Sequence, residues 1–168
     1  HDSIDEYSGF AKFDSEKIIN LILYIAEKTK GIFETKLNKI LWYVDFLHFK
    51  EYAVSITGSV YRHLPLGPVP DNYKWIIAAA EGEGLRGEEI IYNHDISGVK
   101  YSSTVHLEET YFTKEERDVI DFVINHFNRY TSKKITDASH NEDGYKETNS
   151  GDSISYRYAS KLSISLPK

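Results

Sequence analysis

The sequence predicts an α+β fold that is predominantly helical. Five or six helices should surround a central buried helix at about 35–51, with one small antiparallel β-hairpin at about 85–107. Three observations predict it. Apolar residues recur at helical spacing in several segments. The segment Leu37, Ile40, Leu41, Trp42, Val44, Phe46, Leu47 and Phe49 is apolar around nearly its whole circumference, which suits an interior helix. Residues 85–92 and 99–107 read as two strands joined by the turn-forming stretch 93–98.

Taken in order, residues 1–12 form a polar lead-in, expected as a tag remnant or linker, and 13–168 form a single domain. The chain opens His1-Asp2-Ser3 and contains no Met, so a segment upstream is expected. Asp14 is placed to cap a helix from Ser15, where its carboxylate would accept orphan N–H groups. Ile18, Ile19, Leu21, Ile22 and Ile25 fill that helix, and Lys30-Gly31 ends it. After the central helix, 55–66 loses the helical period. Leu66-Gly67-Pro68-Val69-Pro70 then forms a rigid turn, with Pro70 in the first turn of a helix at 70–81. Thr113-Lys114-Glu115-Glu116 is a capping box opening a helix that carries Val119, Ile120, Val123 and Phe127. A short helix follows at 132–139, a polar turn-rich stretch at 141–152, and a last helix at 153–163.

Composition narrows the function classes. The 168 residues are 40% apolar and 27% charged, an ordinary globular balance. Thirteen Tyr, eight Phe and two Trp furnish either an aromatic core or a contact surface, since Tyr and Trp are favoured interface anchors. The absence of Cys excludes disulfides and thiolate chemistry and fits a cytoplasmic location. No apolar run approaches the roughly 20 residues of a membrane span. A net charge of −6 argues against direct nucleic-acid binding and favours a basic partner.

Several polar residues are candidates for a site. Asn38, Asp45 and His48 fall on one side of the central helix at about 100° per residue. They form a structural network pinning the loop after residue 52, a partner-binding group, or an Asp–His catalytic pair, with His140 as a third member of a hydrolase. Seven His show no tight metal-ligand spacing, so no metal or other cofactor is expected. No nucleophile elbow and no phosphate-binding Gly-rich loop is present. Lys36, Lys39 and Lys50 share a helix face, suited to an acidic partner or to a solvated edge.

The run Lys36-Leu37-Asn38-Lys39-Ile40-Leu41-Trp42-Tyr43-Val44-Asp45-Phe46-Leu47-His48, then Ser55-Ile56-Thr57-Gly58 and Tyr61, then Leu66-Gly67-Pro68-Val69-Pro70, resembles the SocA-type or Panacea antitoxin domain, also known as phage-associated GepA-like proteins. Ser139-His140, Tyr145 at an expected aromatic position, Ile154-Ser155-Tyr156 and Ala159 extend the likeness over about 14–163. The resemblance implies a helical domain with a small hairpin that neutralises a partner toxin, encoded by an adjacent gene, through direct contact. Some relatives act as adaptors for a ClpXP-type protease, and others follow a zinc-ribbon and helix-turn-helix segment in a transcriptional regulator. It singles out Lys39, Tyr43, His48, Tyr61, Gly67, Pro68, His140 and Tyr145. Of these, Gly67 and Pro68 should shape the turn, His48 should be a core donor, and Lys39 and Tyr61 should contact the partner.

Overall fold

A computed structural model describes residues 3–93 and 96–168. Its first helix, α1 (Ser15–Lys28), starts where Asp14 accepts a hydrogen bond from the Lys17 N–H at 3.0 Å. It stops where Lys30 and Gly31 take positive φ and the Gly31 N–H returns to the Ala26 carbonyl. A two-residue strand, β1 (Ile32–Phe33), leads directly into α2 (Glu34–Tyr52). Every residue of α2 from Leu37 to His48 is buried. With no solvent face, this helix is held by what packs on it, as its all-round apolar pattern requires. Ala53 in the left-handed region closes it, its N–H bonded to the Phe49 carbonyl.

The segment after α2 differs from the expected rigid turn. Strands β2 (Tyr61–Leu64) and β3 (Gly67–Pro70) form a second antiparallel hairpin, with Tyr61 opposite Pro70 and His63 opposite Pro68. Two prolines fit because this sheet has only two strands, so their missing N–H groups face away from any further ladder. Pro70 therefore ends a strand and does not open a helix. Helix α3 (Tyr73–Gly82) begins three residues later, behind Asn72 at φ 59°.

Strands β4 (Leu85–Asn93) and β5 (Ile96–Ser103) form the expected hairpin, and β1 adds a third antiparallel strand in the order β1-β5-β4. The pairing runs further into the expected 93–98 turn, since Asn93 already faces Ile96, and the remainder of that turn, at 94–95, lies outside the described residues. β5 ends at Ser103, short of the expected 107. Helix α4 (Lys114–His126) carries the complete capping box, with reciprocal bonds between Thr113 and Glu116. Helix α5 (Ser132–His140) follows as predicted, capped by Thr131. The polar stretch after it contains a one-turn helix, α6 (Asp143–Lys146), and the predicted last helix is a 3-10 helix at Tyr156–Lys161.

These elements close around α2. Phe46 stacks on Tyr156 at 4.3 Å between ring centroids, Tyr43 meets Phe127 at 4.6 Å, and Trp42 touches both Tyr43 and Phe46 at 4.9 Å. The richness in aromatics is thus largely a core property. Each such ring contributes on the order of 2–3 kcal/mol of burial plus a smaller ring-pair term. Residues 5–10, expected as a polar lead-in, are folded against this core. Ser55 donates from its N–H to the Gly9 carbonyl and from its hydroxyl to that of Ser8, and the Tyr156 N–H bonds to the Glu6 carbonyl. No helix among the described residues is long and apolar enough to cross a membrane.

Candidate functional site

Two polar centres are built on α2. The first surrounds Asp45, which is fully buried. Its carboxylate accepts four hydrogen bonds: from the Ile56 N–H at 2.8 Å, the Thr57 N–H at 3.0 Å, the Thr57 hydroxyl at 2.6 Å and the Tyr61 hydroxyl at 2.7 Å. Burial pushes the Asp45 carboxyl above its ordinary value while these donors pull it back. The segment 53–60 has no regular structure of its own, so its backbone donors need an acceptor, and Asp45 supplies it. His48, one turn further on, donates from Nδ1 to the Val54 carbonyl at 2.6 Å. The Tyr156 hydroxyl completes the cage by bonding the Ser59 carbonyl at 2.6 Å.

The second centre lies nearer the start of α2, where Lys39 is 1% exposed. Among the described residues its ammonium makes a single hydrogen bond, 3.3 Å long, to the Thr35 carbonyl, and burial lowers its pKa to about 8. The turn of the β2–β3 hairpin covers it. Gly67, at φ 122°, lies so close that a Cβ there would stand 2.3 Å from Lys39 Cε. Beside this corner Tyr145 is sandwiched between His63 and His140, at 3.7 and 4.4 Å between centroids. The Tyr145 hydroxyl donates to the Leu64 carbonyl at 2.6 Å, tying the hairpin turn to the segment after α5. His140 Nε2 is buried and has no hydrogen-bond partner among the described residues, and burial together with the Lys39 charge lowers the pKa of its ring.

The eight residues singled out by the resemblance therefore divide between architectural positions. Lys39, Gly67, His140 and Tyr145 meet at one corner, with Pro68 in the adjoining strand. Tyr61 and His48 belong to the Asp45 side. Tyr43 belongs to neither centre, its hydroxyl donating to Glu142 at 2.9 Å, and burial raises its pKa. Lys39 and Tyr61, expected as contact residues, are instead enclosed by the fold. The hydrolase grouping is not assembled either. Among the described residues no hydrogen bond joins Asp45, His48 and His140, and the Asp45 oxygens are occupied by non-histidine donors.

Sequence reasoning missed Glu142 and His63. Glu142 is buried and also accepts from the Ser163 N–H and hydroxyl, which clips the C-terminal segment to Tyr43. It stands in a polar stretch with no periodicity, so no local signal marked it. Among the described residues, the exposed large apolar side chains are Leu64 and Leu66 on the hairpin turn, Trp75 on α3, Tyr52, Ile91 on β4, Val105 after β5, and Ile4, Tyr7 and Phe10 near the start. Open clefts flank the core. One of about 820 Å³ lies between residues 5–7 and 152–158, and one of about 1020 Å³ lies between β1–β5 and the α4–α5 turn.

A family profile described as the antitoxin SocA-like, Panacea domain matches residues 37–146, more than half of the chain. No curated protein and no solved structure matches it.

Proposed function

Because the chain belongs to the antitoxin SocA-like, Panacea domain family, we propose that it neutralises a partner toxin in the cytoplasm by direct binding, covering the toxin's working surface without catalysis. Family membership supports a role in a toxin–antitoxin pair. The observation that carries the binding reading is the position of the family-like residues. The run from Leu37 to His48 is buried throughout, and Tyr61 and Asp45 are wholly enclosed. The family match thus includes a buried scaffold helix, and binding is assigned to the exposed surface around it.

A stable interface needs roughly 1,000 Å² or more of buried area with a few apolar anchors. Leu66 at 61% exposed and Trp75 at 57% are anchors of that kind. Co-expression with the adjacent gene product tests the reading. The expected result is growth rescue together with co-purification of the two proteins, and rescue without any complex would overturn direct occlusion.

A further inference from the structure

We propose that the groove between β1–β5 and the α4–α5 turn receives an acidic, extended segment of the partner protein, a proposal that rests on the antitoxin reading above. The groove encloses about 1020 Å³, and Phe33, Val99 and Tyr130 give it an apolar floor. Lys36, Lys100 and Lys133 line it as well. Two glutamates, Glu34 and Glu89, also border it, so the lining carries a net positive charge on a chain whose total is −6. Glu34 is further withdrawn, because its carboxylate accepts the Tyr101 hydroxyl at 2.9 Å.

The lysines are held in different ways. Lys36 donates to the Asn128 and Tyr130 carbonyls at 3.3 and 2.8 Å, which fixes the wall of the groove and leaves one of its three N–H donors for a ligand. Lys100 lies across β1, its ammonium 5.6 Å from the Phe33 ring centroid. Gly31 makes room for it, since a Cβ there would stand 2.8 Å from Lys100 Cε. Among the described residues Lys133 is tied only to Asp137, in a solvent-exposed pair of small worth that a better carboxylate can replace. The amino end of α2 opens at the same place, and its dipole favours negative charge.

Cations spread along an apolar floor match a chain that alternates carboxylates with apolar side chains better than a single small anion. A nucleic-acid strand fits less well, because it carries a charge on every unit and lacks the aliphatic side chains that would cover the apolar floor between the lysines.

The test uses the full chain and a short fluorescent peptide alternating Glu with Leu. A Lys-for-Glu peptide and a single-stranded oligonucleotide serve as comparators. The acidic peptide is expected to bind, to weaken as salt is raised, and to bind the double variant K100E/K133E about tenfold less well, with unchanged thermal melting. Equal binding of the basic peptide, tighter binding of the oligonucleotide, or no binding of the acidic peptide overturns the proposal. In growth rescue, K100E/K133E should fail where the wild type succeeds. If the wild type itself fails to rescue, the antitoxin reading falls. If both rescue equally, only the groove proposal falls.

Discussion

Around Asp45 each carboxylate oxygen has two donors within 3.0 Å. Less than two turns earlier on the same helix, Lys39 is as deeply buried, yet among the described residues it has one bond of 3.3 Å and the neighbouring His140 Nε2 has none. Both centres place a formal charge where water does not reach, but only the first is solvated by the protein. A buried charge with a full set of donors organises the chain around it, whereas one with too few is tolerated at a cost in stability. The Asp45 centre therefore folds the segment 53–61. The Lys39 corner is held shut by its neighbours, namely the Gly67 turn, the Tyr145 sandwich and the Leu64 tether.

Four substitutions would break or sharpen this contrast. Asp45→Ala removes the acceptor of four buried donors, of which the Tyr61 hydroxyl keeps the Leu41 carbonyl at 3.0 Å, and should cost about 3–5 kcal/mol in denaturant unfolding. A loss below about 1 kcal/mol would remove Asp45 from its organising role. Gly67→Ala forces a Cβ into a left-handed position against Lys39 and should cost about 1–3 kcal/mol. Combining it with Lys39→Ala should recover part of that loss, as a double-mutant cycle would measure.

Lys39→Met has the opposite sign. The folded pKa of Lys39, about 8, lies below its ordinary 10.5, so the unfolded chain binds the extra proton between those values. Wild-type stability should accordingly gain from this group as pH rises from about 8 towards 10. Above 10 the tyrosines Tyr43 and Tyr61, whose pKa values burial raises, pull the other way, because the folded state then holds protons that the unfolded state releases. Lys39→Met should add about 1–3 kcal/mol at pH 7 and abolish the alkaline gain, read by urea unfolding across that range. The smallest effect is expected from Tyr145→Phe, which keeps the ring sandwich but loses the bond to the Leu64 carbonyl, at about 1 kcal/mol.

Much of this was legible in the residues. The Asp14 cap, the Thr113–Glu116 capping box and the Lys30-Gly31 stop each depend on contacts within a few positions, so pattern alone places them. The all-round apolar run of α2 announced its burial for the same reason. The second hairpin at 61–70 was not legible. It pairs a strand with two prolines, and its stability comes from α2 beneath it and from Ser153 beside it, not from strand propensity. Lys39 and Tyr61 were misread as contact residues because a Lys and a Tyr carry polar ends that usually seek water.

By itself, the sequence determined the helical class, the central helix and the family resemblance, since these rest on periodicity and on a contiguous motif. Which polar groups face one another was decided only in three dimensions. Glu142 finds Tyr43 across 99 positions and Lys36 finds Tyr130 across 94. Over such separations the chain carries no local record of its contacts, and packing alone sets whether a buried charge ends up solvated, as at Asp45, or short of partners, as at Lys39.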